Sequence, residues 1–108
     1  MVGTEDTPGY NPRIADLADA FKVSWLAASP DFQTTHGYPR GKHGVANLTL
    51  ATNWIGQQFD CLAVTIEMPF KDNADLPDAQ MGWNGERAKR LGASVLQPVL
   101  AVVDELRG

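Results

Sequence analysis

An α/β fold, present as a single partial domain over residues 1–108, is what this sequence predicts, and two observations carry the prediction. The run Cys61-Leu62-Ala63-Val64-Thr65-Ile66 is short, apolar and partly β-branched, the composition of a strand covered on both faces. It lies between two long stretches whose apolar residues recur at helical spacing. A strand of that kind needs neighbours in a sheet, and the chain offers few runs to flank it, so the remaining strands are expected outside these residues.

The elements follow in order. The start of the chain, with Thr7-Pro8-Gly9-Tyr10-Asn11, has no period and reads as a loop. Asn11-Pro12 opens a helix, because Asn caps free N–H groups and Pro at the first helical position needs no donor. Ile14, Leu17, Ala18, Phe21, Trp25 and Ala28 then recur three and four apart. Ser29-Pro30 closes it, since a residue before proline avoids helical backbone. Residues 31–44, rich in glycine and containing Pro39, form a long irregular loop. A short helix is expected within 47–58, then the strand 61–66 ending at Glu67, then a polar loop over 72–82. Asn84 caps a last helix carrying Ala88, Leu91, Val95, Val99, Val102 and Leu106. Pro98 should interrupt it, at a local cost of about 3 kcal/mol in an intact helix.

Hydrophobic residues make up 44% and charged residues 20%, which suits a packed core and excludes a disordered tail. With 13 acidic against 9 basic residues the net charge is -4, opposite to what phosphate backbones and anionic membranes attract. Neither nucleic acid nor membrane is an expected partner. A lone cysteine, Cys61, allows no intramolecular disulfide and no thiolate metal knuckle. The acidic first residues lack the pattern of a secretory leader, and no apolar run reaches the roughly 18 residues of a spanning helix. A soluble, cytoplasmic protein is the expectation.

Gly37-Tyr38-Pro39-Arg40-Gly41-Lys42-His43 superficially suggests a phosphate loop, but the glycine spacing is short and His43 stands where Ser or Thr should follow the lysine. His36 and His43 lie seven apart in that loop, a spacing unlike compact zinc motifs, so no metal site is expected within this chain. Cys61 reads as a structural thiol, with a nucleophile as the remote alternative. Glu67 is the strongest chemical candidate: a carboxylate ending an apolar strand is desolvated by its neighbours and can be tuned for proton transfer. From strand position alone, a glutamate that caps or salt-bridges a neighbouring loop is the commoner case.

The run Leu62-Ala63-Val64-Thr65-Ile66-Glu67-Met68-Pro69-Phe70-Lys71-Asp72-Asn73, with Gly82-Trp83-Asn84 and Glu86-Arg87 beyond it, resembles the C-terminal part of zinc metallocarboxypeptidases of the bacterial cytosolic branch. Softer matches extend upstream through Asn47-Leu48-Thr49 and Asp31-Phe32-Gln33-Thr34 to Pro8-Gly9-Tyr10-Asn11-Pro12-Arg13. The resemblance implies the C-terminal part of a mixed-sheet domain with helices packed on the sheet. It implies a hydrolase that removes the C-terminal residue of peptides or proteins, with Glu67 taking a proton from a zinc-bound water and returning it to the leaving amine. It implies a mobile tyrosine and a side-chain pocket, for which Tyr38 and the stretch Thr52-Asn53-Trp54 are the nearest matches. The family's zinc ligands and carboxylate-binding arginines precede the matched region. Zinc therefore belongs to the complete domain, and this chain alone is expected to be metal-free, inactive, and partnered by a missing N-terminal half or by its own copies. A related zinc-dependent N-acyl amino acid deacylase and a non-catalytic self-associating or partner-binding module are the alternative readings.

Overall fold

The computed structural model describes residues 1, 5–38 and 46–106. Helix α1 runs Pro12–Ala28, α2 Ala51–Phe59, α3 Gly85–Ser94 and α4 Leu96–Val102, and a 3-10 turn Val103–Glu105 follows. This corrects the expected α/β architecture: among the described residues there is no sheet, and 61–66 is an extended segment whose ladder bonding is limited to an isolated bridge at Thr65. The reason is partnership. An apolar, β-branched sequence favours extended backbone, but a strand becomes part of a sheet only when another backbone supplies its hydrogen bonds. Nor is the segment covered on both faces: Leu62, Ala63 and Val64 are half-buried, while Thr65 and Ile66 are exposed.

The helix boundaries follow local chemistry. Asn11 sits in extended conformation and its Oδ1 accepts from the Ile14 amide at 3.1 Å, with Pro12 in the first turn. Ser29 returns to extended backbone before Pro30. Asn84 repeats the cap on α3, accepting from the Arg87 amide at 3.0 Å. The expected last helix is divided at Val95, three residues before Pro98, whose ring and missing N–H disturb the preceding turn. Helix α2 ends on Asp60, which takes a left-handed φ of 46°. Its carboxylate accepts from Asn11 Nδ2 at 2.7 Å and pairs with Arg13, joining the end of α2 to the start of α1.

The core lies chiefly between α1 and α4. Ile14, Leu17, Ala18, Phe21 and Trp25 form the buried stripe of α1, and Leu91, Pro98 and Val102 face it from the C-terminal helices. Phe32, just past α1, stacks on Trp25 with ring centroids 4.2 Å apart, while Phe21 meets the same indole edge-on at 5.8 Å. The buried indole is satisfied: Trp25 Nε1 donates to Ser94 Oγ at 2.7 Å, and that hydroxyl donates to the Leu91 carbonyl at 2.6 Å. Ser94→Ala should therefore cost about 1–3 kcal/mol, the penalty of an orphaned buried donor, measured by chemical denaturation with an unchanged m-value.

Large apolar side chains also remain uncovered. Val23 and Leu26 on α1, Leu96, Val99 and Leu100 on α4, and Trp54, Ile55 and Phe59 on α2 are all exposed, with Phe70 89% exposed. Singly such residues are ordinary, but contiguous apolar surface marks contact with other protein.

Candidate active site

Three stretches meet at the site: the extended segment through 65–67, the first turn of α2 and the end of the loop that follows α1. Alternation along extended backbone sends Thr65 and Glu67 to the same side. Thr65 Oγ1 lies 2.7 Å from Thr52 Oγ1 at the start of α2, and Tyr38 Oη donates toward both Glu67 carboxylate oxygens at 3.3 and 3.4 Å. The structure thus brings Tyr38 to Glu67 and Thr52 to the same extended segment.

Asn53 is turned inward instead. It is buried, its Oδ1 accepts from Thr7 Oγ1 at 3.4 Å, and its Nδ2 donates to the Asn47 carbonyl at 3.0 Å. Neighbours on a helix point about 100° apart, so fixing Asn53 in the interior holds Thr52 toward Thr65. Glu67 is exposed, contrary to the desolvation expected of a carboxylate ending a buried strand, because no sheet closes over it. The Met1 α-amino group feels its charge: partial burial pushes the amine below its ordinary value of 8.0, and Glu67 opposes that shift.

Beneath this surface lies an ion cluster that local sequence patterns did not reveal. Arg87, in the first turn of α3, is buried, with 7% of its side chain exposed. Its Nε reaches Asp31 Oδ1 and Oδ2 at 3.0 and 3.1 Å and its Nη2 reaches Asp31 Oδ1 at 2.7 Å. The same guanidinium donates to Asp72 Oδ1 at 3.2 Å and to the Leu76 carbonyl at 2.7 Å, and lies 5.2 Å from the Trp83 ring centroid. Hydrogen bonding to Asp31 raises its pKa further above an already high value. Helical period marks Arg87 only as one position in a polar first turn, and its acidic partners are distant in sequence.

The loop over 72–82 is built from side-chain-to-backbone bonds. Asp78 Oδ1 accepts from the amides of Gln80 and Met81, both at 3.0 Å, and Gly82, at φ +58°, closes the turn onto the Asp78 carbonyl at 2.8 Å. The Met81 and Gln80 amides lower the Asp78 pKa from its ordinary 3.8. A depressed carboxylate contributes stability that is present above 3.8 and lost as pH falls through the lower folded value. Asp78→Asn keeps the acceptor and removes the titration, so its stability should fall less steeply with pH below 3.8, as read from urea midpoints across the acid range.

His36 is engaged with Asp75, Nε2 to Oδ2 at 2.7 Å, while its amide bonds Gln33 Oε1. His43, with the rest of the glycine-rich stretch 39–45, lies outside the described residues. Cys61 is half-buried, its Sγ directed at the Ile55 carbonyl at 3.8 Å, beside a small recess lined by Thr7, Tyr10, Ile14 and Gly56. Among the described residues no three His, Cys, Asp or Glu side chains gather to hold a metal ion, and no helix is long and apolar enough to cross a membrane.

No family model matches the chain. It is similar to an uncharacterized protein of Zymomonas mobilis, 36% identical over 106 residues that cover 98% of this chain and 28% of that protein. Among solved structures it is similar to a metallo-carboxypeptidase from Pseudomonas aeruginosa in complex with (2-guanidinoethylmercapto)succinic acid, at 52% identity and a TM-score of 0.89. That match covers 98% of this chain and 28% of the other. A metallo-carboxypeptidase from Burkholderia cenocepacia is 46% identical with a TM-score of 0.85, over 96% of this chain and 27% of its own. The chain therefore spans little more than a quarter of the length of the proteins it matches.

Proposed function

We propose that this chain, similar over nearly its whole length to metallo-carboxypeptidases, is the C-terminal portion of a hydrolase of that kind, releasing C-terminal residues from peptides or proteins. The likeness supports the kind of enzyme; the approach of Tyr38 to Glu67 is the observation that carries the assignment of roles. Glu67 is the acid-base group. Its carboxylate takes a proton from the water attacking the scissile carbonyl and returns it to the departing amine, so a single group serves both transfers and ends unchanged. Tyr38, donating toward that carboxylate, orients it, and Thr52 with Thr65 fixes the adjoining backbone.

The described residues do not fit a metal: His36 is bonded to Asp75, and no three-ligand group is present among them. Zinc, as the expected metal of the complete enzyme, would rest on residues outside this chain, and no step above is routed through it. The uncovered apolar side chains on α2 and α4 support the same division, because the remainder of such an enzyme would supply what covers them.

The test is a chimaera in which this chain replaces the matching 28% of the Pseudomonas aeruginosa metallo-carboxypeptidase. Release of a C-terminal residue by the chimaera, with no release by this chain alone, is the expected result. A folded chimaera without peptidase activity would overturn the proposal, and activity of this chain alone abolished by Cys61→Ala would move the chemistry to the thiol.

A further inference from the structure

The two segments that carry Tyr38 and Glu67, residues 31–38 and 67–76, are irregular, and no backbone hydrogen bond joins them. Side-chain contacts cross between them. We propose that the Arg87 cluster and the His36–Asp75 pair form a graded clamp that positions Tyr38 against Glu67, with Arg87, His36 and Asp75 as positioning residues.

Three links cross the gap in order. At the root, Arg87 holds Asp31 from one segment and Asp72 from the other in one guanidinium, with its own side chain and that of Asp31 exposed by only 7% and 10%. Next, His36 Nε2 meets Asp75 Oδ2 at 2.7 Å, with both side chains about two-thirds exposed (67% and 63%). At the tip, Tyr38 Oη stands 3.3 Å from Glu67. Polar contacts weaken as they gain access to water, so the buried root is fixed while the middle and the tip, both exposed, are adjustable. A rigid planar fork suits the root, because bidentate geometry fixes direction as well as distance. The short middle link acts nearest the tip: Asp75 is held by Asn73 Oδ1 at 3.0 Å, and His36 by Gln33 at 2.6 Å, so joining the two brings both segments together just before Tyr38. This inference builds on the roles proposed for Tyr38 and Glu67, but its content is mechanical.

The experiment reads the tip directly in this chain, without turnover. With tyrosines carrying a 13C label at Cζ, the Tyr38 resonance should follow titration of the Glu67 carboxylate, and Glu67→Gln should remove that response. The Met1 amine also faces Glu67, and acetylating it removes its titration, so the response that remains reports on the carboxylate. Asp75→Asn and His36→Gln alter exposed groups, so the stacked Trp25–Phe32 core should keep its resonances while the Tyr38 response falls by half or more. Arg87→Lys, which keeps the charge but loses the fork, should weaken it as well. An undiminished Tyr38 response in both Asp75→Asn and His36→Gln would overturn the clamp. So would the absence of any response in the unsubstituted chain. An inactive chimaera, with the Tyr38 response present in this chain and reduced in Asp75→Asn and His36→Gln, would refute the peptidase reading while supporting the clamp.

Discussion

Glu67→Gln in the chimaera is expected to lower kcat by about 100- to 10,000-fold, the usual contribution of a positioned acid-base group. The amide keeps the size of the side chain and still accepts from Tyr38, but it cannot take up a proton at neutral pH. KM should change little, because proton transfer stabilises the transition state rather than the bound substrate, and the exposed side chain contributes little to the core. Binding of an inhibitor and the thermal midpoint should match those of the unsubstituted chimaera, which separates lost chemistry from lost structure. A loss of only two- or threefold would make Glu67 a positioning residue at most.

The largest expected effect on stability belongs to Arg87→Met. Removing the guanidinium leaves Asp31 buried without its counter-charge, takes a donor from the Leu76 carbonyl and ends the contact with Trp83. The thermal midpoint should fall on the order of 10 °C or more, beyond what an exposed salt bridge controls. Calorimetry checks it, and the double variant Arg87→Met with Asp31→Asn sharpens the test: once the orphaned charge is gone, part of the loss should return. Additive losses in the double variant would show that Arg87 acts through its other partners.

What was legible in the sequence was what is decided within a few residues. Asn11, Pro12, Ser29 and Asn84 mark helix ends because caps act on amides two or three positions away. Pro98 announced the break before α4 for the same reason. The strand reading of 61–66 failed because a sheet is not a property of one segment; composition states a preference for extended backbone, and partners decide what becomes of it. At the site, the pairing of Tyr38 with Glu67 spans 29 residues and that of Arg87 with Asp31 spans 56, distances that no periodicity reports. Asn53 shows the finer difficulty, since nothing local distinguishes a helix residue turned to the interior from the neighbour that faces Thr65.

The pairing of α1 with α4 also sets an order of events during synthesis. Trp25 finds its partner Ser94 only after 69 further residues, and the Pro98 turn that closes the core comes later still. At the usual elongation rate of about 5–20 residues per second, the apolar stripe of α1 waits about 3 to 14 seconds for its cover. Through that interval the early helix is an exposed hydrophobic surface in a crowded cell, a natural stopping point for a ribosome-bound chaperone. Slow codons anywhere downstream of α1 would lengthen the wait and raise the yield of aggregate, because α4 must clear the ribosome before it can cover the stripe.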